Sequence, residues 1–282
     1  MDSPPPTYRM TVKPTPSMRL LHWGSQFISV LALVSFLLVI WTMISRSPLP
    51  GKPDWPEALL VLTTGIATLA SLTRVLPGEK VLLAGVIIGL LGGFAHGLGA
   101  MTAFPFGPFV YSETAGPRFF NALAWPLPLI WIIAILNSRG VARLMLRPWR
   151  KLRSYGYWLI SLTALLVVLF DFALEPFATQ ANHYWLWLPT KLPVTWYGVP
   201  LVNFLGWLLT ALLILAFTTP ALTQKPVRAK QSPMDFHPLF VWLLALTLFG
   251  IGDFQHQLRL PAMLCALTGI TTAIVAGRGA RW

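Results

Sequence analysis

Long apolar stretches recur along the whole chain, and they constrain its fold more than any other feature of the sequence. Most have about the length that an α-helix needs to cross the ~30 Å hydrocarbon core of a bilayer. They lie at roughly His22–Ile44, Pro56–Leu72, Val81–Met101, Phe119–Asn137, Tyr157–Pro176, Pro200–Thr219, Pro238–Gly252 and Leu258–Ala276. We therefore predict an all-α fold, a polytopic transmembrane helical bundle of about eight spans.

The composition agrees with a chain that lies mostly in lipid. Of its 282 residues 55% are hydrophobic and 11% are charged, whereas a soluble domain carries about 25% charged residues. The first residues, "MDSPPPTYRMTVKPTPSMR", are rich in proline and lack the apolar core of a signal peptide. We predict a disordered arm over residues 1–19, a single transmembrane domain over 20–277 and a short cytoplasmic tail over 278–282.

The distribution of lysine and arginine predicts the orientation of the bundle. With eight spans both termini lie on one side, and sixteen of the 21 basic residues fall on that side. Such an asymmetry indicates that both termini are cytoplasmic. The segment "SRGVARLMLRPWRKLRS" carries the largest share and is predicted to anchor the topology and to touch anionic lipid headgroups. The net charge of +12 is thus explained without nucleic-acid binding, which we exclude.

Two acids in the fifth apolar stretch are candidates for catalysis. Asp171 and Glu175, in "VVLFDFALEPF", are four residues apart, so a helix presents both on one face, near its outer end. The two carboxylates repel each other and burial disfavours their charge, so we expect at least one to hold a proton near neutral pH. Acids within a membrane are costly and are usually functional. Alternatively, Glu175 next to Pro176 marks only the aqueous end of the span.

Other polar residues on the same predicted side have two interpretations each. The stretch "FPFGPFVYSETAGPRF" is either a cap that folds back over the bundle, with Glu113 aimed inward and Arg118 paired with an acid, or a solvated loop. His96 is either a packed, hydrogen-bonded histidine or a functional one. Asp253 and His256 either orient a proton carrier or belong to a solvated turn.

Several classes of chemistry lack their sequence signals. The chain has no HxxxH, DDxxD, GxGxxG, GxxxxGK[ST] or GxSxG motif, and Cys265 is its single cysteine. Di-iron hydroxylases, magnesium-dependent prenyltransferases, nucleotide-binding enzymes and serine hydrolases of the GxSxG type are therefore disfavoured. We predict acid–base chemistry on an apolar substrate, with no cofactor and no metal.

Three blocks, in this order along the chain, carry a resemblance to a known family. They are "FPFGPFVYSETAGPR" at 104–118, "DFALEP" at 171–176 with the following "HYWLW", and "YGVPLVNFLGWLL" at 197–209. Together they resemble the integral-membrane carotenoid 1,2-hydratases, with Glu175 at a position where that pattern has an aspartate.

The resemblance implies a reaction, a location and partners. The reaction is addition of water across the terminal C1–C2 double bond of an acyclic carotenoid end group, as in lycopene or γ-carotene, giving a tertiary alcohol. The implied location is the plasma membrane of a carotenoid-making prokaryote, where the protein spans the bilayer several times. Its partners would be the carotenoid, water, membrane lipid and other enzymes of the same pathway.

Hydration of such an alkene needs an acid, a pocket that tolerates a carbocation and a positioned water. Asp171 is our first choice for the proton donor, assisted by Glu175, and Glu113 is the candidate base. The remaining candidates are expected to bind the substrate, the cation or the water: His96, Tyr111, Trp185, Tyr197 and Asn203. The aromatic residues have a second interpretation as anchors at the membrane interface.

Two other functions use the same acids. A membrane lycopene cyclase begins with the same protonation but lets a second double bond capture the cation instead of water. A proton-coupled transporter would use the acids as a relay, and it commonly has two related halves with broken helices. No internal repeat of this kind is visible in the sequence.

Overall fold

The computed structural model describes residues 16–47, 55–190, 194–223 and 235–282, with side chains from residue 23 onward. The described residues form eight long α-helices: α1 (Pro16–Ser45), α2 (Trp55–Leu72), α3 (Gly78–Thr102), α4 (Leu127–Met145), α5 (Tyr155–Pro176), α6 (Leu201–Thr218), α7 (His237–Gln255) and α8 (Arg259–Ala280). All eight are long and apolar enough to cross a membrane. The predicted all-α, eight-span bundle is confirmed. Of the predicted disordered arm, residues 16–19 belong to α1 and the others lie outside the described residues.

The fourth helix begins later and ends later than its apolar stretch predicts. It starts at Leu127 instead of Phe119, because residues 118–124 form a tight antiparallel hairpin of β2 (Arg118–Phe119) and β3 (Leu123–Ala124). Phe120 and Asn121 turn this hairpin with φ angles of 52° and 56°. The helix then continues to Met145, so Arg139 and Arg143 lie inside it, toward the C-terminal end where positive charge is favourable.

Helix α4 lies at the centre of the bundle, and glycines allow its neighbours to approach closely. Its residues 131–136 are all buried. A Cβ atom added at Gly140 would lie 2.3 Å from the Cβ of Pro238 in α7, and one added at Gly279 in α8 would lie 2.1 Å from the carbonyl oxygen of Leu144. Such contacts between small residues and neighbouring helices are typical of membrane bundles, where close van der Waals packing stabilises association.

The connections α3–α4 and α5–α6 meet at one end of the bundle, which we call the capped end. There β1 (Phe109–Tyr111) pairs in antiparallel fashion with β4 (Trp185–Trp187), and β5 (Thr195–Trp196) pairs with β6 (Val199–Pro200). The β1–β4 ladder joins segments that are more than seventy residues apart in the chain. It therefore ties the connection that follows α3 to the connection that follows α5.

The α3–α4 connection folds back into the bundle through one phenylalanine. Phe106 is completely buried, and it packs between Gly99 of α3 and Gly206 of α6. A Cβ atom added at Gly99 would lie 2.8 Å from the phenylalanine ring, and one added at Gly206 would lie 2.6 Å from it. Of the two interpretations of this stretch, the structure shows the cap.

Candidate active site

Two acids and one amide form the polar centre of the capped end. Asp171 and Glu175 lie one turn apart on α5, and Asn203 lies in the first turn of α6; all three are 2% exposed or less. The Nδ2 atom of Asn203 donates to Oδ2 of Asp171 at 2.7 Å and to Oε1 of Glu175 at 3.1 Å. A single side-chain amide therefore bridges both carboxyl groups.

Two indole N–H groups from β4 complete the surroundings of Glu175. Because side chains alternate across a strand, Trp185 and Trp187 point to the same face of the ladder. Their Nε1 atoms donate to Oε2 of Glu175 at 3.1 Å and 3.0 Å. Leu186, between them, is 50% exposed. The strand thus turns both indoles toward the acid.

The two carboxyl groups differ in how many donors they meet. Glu175 accepts three N–H groups, from Asn203, Trp185 and Trp187. Asp171 accepts one, and its Oδ1 atom is buried without a hydrogen-bond partner among the described residues. Donors to a carboxyl group favour its charged form. The arrangement thus suits a carboxylate at Glu175 beside a protonated Asp171.

A small cavity adjoins Glu175 and Asn203. Its volume of about 10 Å³ is close to the minimum that holds one water molecule, which also needs polar partners. Its walls are His96, Phe106, Phe109, Tyr111, Leu127, Glu175, Trp185, Trp187 and Asn203. The site can therefore hold one water against an acid and an amide, surrounded by aromatic rings.

His96 belongs to an aromatic cluster beside this cavity. Its Nδ1 atom accepts the indole N–H of Trp131 at 3.0 Å, and Trp131 stacks on Trp207 with ring centroids 4.1 Å apart. Gly92, one helical turn before His96, makes room for Trp131, since a Cβ atom there would lie 2.3 Å from that ring. In the neutral form of His96, the accepted bond at Nδ1 leaves Nε2 as the ring's donor.

Tyr111 is held at the cavity by the cap. Nη2 of Arg118 donates to the carbonyl oxygen of Tyr111 at 2.7 Å, and the guanidinium lies 6.0 Å from the phenol ring centre. Burial raises the pKa of Tyr111, so its phenol stays neutral at physiological pH. Its hydroxyl is buried without a hydrogen-bond partner among the described residues.

The structure brings six of the eight predicted site residues together and leaves Glu113 and Tyr197 outside. The predicted inward orientation of Glu113 is wrong: its side chain is exposed, at the start of a 3₁₀ turn (Glu113–Ala115). Arg118, predicted to pair with an acid, instead donates to backbone carbonyls. Tyr197 is half-buried and its carbonyl accepts the side-chain N–H of Gln180. Neither Glu113 nor Tyr197 lines the small cavity.

Some residues of the site were missed by the sequence analysis. Trp187 could have been found from Trp185, because a two-residue spacing places both on one face of a strand. Phe106, Trp131 and Trp207 carry no signal of this kind, because nothing in an apolar run shows which aromatic ring meets a histidine on another helix. Asp253 proves to be fully buried in α7 and does not line the small cavity, whereas His256 is exposed.

A second, apolar cavity of about 160 Å³ lies between α1, α2, α4, α5 and α7; we call it the long groove. It extends from His237 to Phe249 along α7, about 18 Å at 1.5 Å per residue. At the capped end it reaches Tyr184, whose hydroxyl donates to Oε2 of Glu57. Most of its walls are aliphatic or aromatic: Ala32, Leu33, Phe36, Val39, Leu60, Val61, Ile130, Ile133, Phe170, Leu174, Phe177, Phe240, Val241, Leu244, Ala245, Leu248 and Phe249.

The long groove is linked to the carboxyl pair through shared walls. An intermediate cavity of about 310 Å³ under the cap shares Glu57 and Tyr184 with the long groove. It shares Leu127 and Trp185 with the water-sized cavity. Neighbouring cavities with shared walls therefore lie between the apolar interior of the bundle and the indole that donates to Glu175.

Comparisons with known proteins agree with this geometry. Residues 57–272 match the family model described as carotenoid biosynthesis protein. The chain is similar to the bisanhydrobacterioruberin hydratase of Haloarcula japonica, with 31% identity over 130 residues, which is 45% of this chain and 42% of that protein. The match thus spans less than half of that relative. No solved structure matches the chain.

The family match covers α2 to most of α8 and includes every residue of the carboxyl site. The resemblance seen in the three sequence blocks is confirmed at the level of the family. The chain belongs to the carotenoid biosynthesis protein family.

Proposed function

We propose that this protein adds water across the terminal C1–C2 double bond of an acyclic carotenoid end group, such as that of lycopene or γ-carotene. One observation carries the proposal: a buried pair of acids, bridged by Asn203, adjoins a cavity with room for one water in a member of a carotenoid biosynthesis family. The similarity to a hydratase supports it. The proposed location is the plasma membrane of a prokaryote.

The acid and the base of this reaction are the two members of the pair. Asp171 donates its proton to C2, which leaves a tertiary carbocation at C1. Water bound at Glu175 and Asn203 attacks C1 through its oxygen and gives one proton to the Glu175 carboxylate. The product is a tertiary alcohol, and no group leaves. Return of the proton from Glu175 to Asp171 restores the starting state.

Glu175 thus takes the place of Glu113 as the proposed base, because Glu113 is exposed. Three N–H donors hold the Glu175 carboxylate in one orientation toward the cavity, and a preorganised group of this kind lowers the barrier of the step in which charge moves. The neighbouring rings of Tyr111, Trp185 and Trp187 present π-electron density that stabilises a carbocation by about 0.5–2 kcal/mol each.

The long groove is the proposed binding site of the polyene chain. Its walls are apolar over about 18 Å, and burial of the polyene there contributes roughly 25 cal/mol per Å² of apolar surface. The intermediate cavity then guides the end group past Trp185 to the acids. The polar groups around the water-sized cavity favour capture of the cation by water over capture by a second double bond.

Expression in a host that makes lycopene or γ-carotene tests the proposal. We expect a new pigment whose mass exceeds that of its precursor by one water molecule. A new pigment of unchanged mass would identify a cyclase instead. Unchanged pigments, together with uptake into vesicles that follows a proton gradient, would identify a transporter.

A further inference from the structure

A pocket lined by arginines lies at the end of the bundle opposite the cap, which we call the basic end. Its volume is about 450 Å³, and it lies between α4, α5, α6 and the start of α7. Four arginines line it: Arg139, Arg143, Arg147 and Arg150. The spacings of four, four and three residues keep them on one side of α4 and the 3₁₀ turn that follows it. One acid, Asp235, shares the described lining.

Arg139 is the member of this set that a topology signal does not explain. Its side chain is only 7% exposed, although a positive-inside anchor needs charge only at the membrane surface. Its Nη2 atom donates to the carbonyl oxygen of Leu222 at 3.2 Å. A buried guanidinium usually has a charged partner, and within the described part of the chain no carboxylate is hydrogen-bonded to Arg139. Asp235 instead accepts the backbone N–H of His237.

A second arginine of the pocket has an unused donor. The Nε atom of Arg147 is buried and has no hydrogen-bond partner among the described residues. Donors that are buried and unpaired cost free energy unless a ligand or a water fills the position. Arg139 and Arg147 thus give the pocket an excess of positive charge and an unmet hydrogen-bond donor.

The rest of the pocket is apolar and reaches into the bundle. Its inner walls include Leu136, Leu144, Leu159, Ile160, Leu215 and Leu222. Thr163, Thr219 and Thr223 also line the pocket. A simple inorganic ion would leave most of this volume unfilled. A ligand with one anionic group and an adjoining hydrocarbon part matches both regions.

We propose that this pocket binds a phosphate group, carried by an anionic amphiphile such as a membrane phospholipid. Guanidinium groups bind phosphate oxygens through paired hydrogen bonds, and basic pockets between membrane helices are suited to lipid headgroups. The phosphate lies between Arg139, Arg143 and Arg147, and the hydrocarbon part lies against the leucines. The proposal is independent of the carboxyl site at the capped end.

Native mass spectrometry of the full-length protein in detergent tests it, with phosphatidylglycerol and phosphatidylcholine as probes. We expect tighter binding of phosphatidylglycerol. The double variant Arg143→Gln/Arg147→Gln should bind it at least about tenfold more weakly, because it loses two guanidinium groups that pair with the phosphate. Arg143 is exposed and Arg147 is half-buried, so this variant is safer for folding than a change at the buried Arg139.

The matched control is Arg278→Gln/Arg281→Gln, which removes the same charge from exposed positions at the same end. It should leave phosphatidylglycerol binding unchanged. Equal weakening in both double variants would contradict a specific binding pocket and would indicate diffuse electrostatic attraction instead.

Inorganic phosphate, added in a thermal-shift experiment, distinguishes a free phosphate ion from a lipid headgroup as the ligand. Stabilisation by both probes means that phosphate alone suffices, and stabilisation by the lipid alone means that the hydrocarbon part is required. Binding of neither, or equal binding of the two lipids, contradicts the proposal.

Discussion

Asn203 keeps two acids together in a place where they would otherwise repel each other. Its Nδ2 atom is a donor, and a donor can be shared between two carboxyl oxygens without adding a charge to the interior. A lysine or arginine at this position would neutralise one acid and remove its proton. In the proposed mechanism, an amide leaves the pair with a proton to transfer, and the three N–H groups around Glu175 favour the charged form of that acid.

Replacement of the proposed proton donor is the strictest test at the residue scale. Asp171→Asn keeps the size of the side chain but removes the transferable proton, so hydration should fall below detection while the protein remains in the membrane. The measurement is product formation in a lycopene-producing host. Asp253→Asn is the matched control, since Asp253 is also fully buried at the capped end and should tolerate the change. Normal turnover by the Asp171 variant would exclude this residue as the acid.

The contribution of the indole N–H donors can be tested by a substitution that keeps an aromatic ring in the site. Trp187→Phe keeps an aromatic ring but removes one N–H donor to Glu175. Since a hydrogen bond to a charged group contributes roughly 1.5–3 kcal/mol, turnover should fall by about 10- to 100-fold. Trp196→Phe is the control, because its N–H donates to the carbonyl of Phe172 outside the site. An equal loss of turnover in both variants would contradict a specific contribution of Trp187.

Side-chain positions were predicted better for the helices, from their periodicity, than for the connections between them. The four-residue spacing of Asp171 and Glu175 was sufficient to place both on one face, because a helix fixes side-chain direction. Glu113 was misplaced because it lies in an irregular connection, where a single residue of backbone change reverses the direction of a side chain. The predicted start of α4 was wrong for a similar reason. Phe119 and Phe120 are as apolar as the residues of a membrane-spanning helix, but they belong to the β2–β3 hairpin.

The long groove can be blocked from one helix. Ala245 of α7 lines the groove, so Ala245→Trp should occupy the space of the polyene and lower turnover by at least about tenfold, for a loss of roughly 1.4 kcal/mol. Thr247→Trp adds the same ring at an exposed position of α7 and should preserve activity. Product yields in the carotenoid-producing host, normalised to protein level, provide the comparison. Full activity of Ala245→Trp would exclude the groove as the substrate site.

Close helix packing beside the site depends on a glycine. Gly92→Ala would place a methyl group 2.3 Å from the ring of Trp131, and overpacking of this kind costs about 1–3 kcal/mol. We expect a lower melting temperature of the purified protein in detergent. Gly277→Ala is the control on α8, where a Cβ atom meets nothing within 4 Å; there the helix propensity of alanine should leave stability unchanged or slightly higher. Equal melting temperatures of Gly92→Ala and the parent protein would contradict this packing.

At the scale of the whole molecule, basic residues predict that the capped end faces away from the cytoplasm. Cysteine labelling can test this in a Cys265→Ala background. Thr114→Cys, exposed at the capped end, should react with a membrane-impermeant maleimide in intact cells. Ser154→Cys, exposed at the basic end, should react only after the cells are permeabilised. The reverse pattern would mean that the positive-inside interpretation is wrong.

The phenylalanine wedged between Gly99 and Gly206 has a consequence for how the protein meets its substrate. Phe106 holds the cap over the polar site, so the proposed carotenoid substrate would reach the acids from the side, out of the surrounding lipid. If the proposed function holds, the rate of turnover depends on the mole fraction of carotenoid in the membrane, not on its concentration in solution. Diluting the membrane with extra phospholipid would slow such an enzyme, even when the amount of pigment per cell is unchanged.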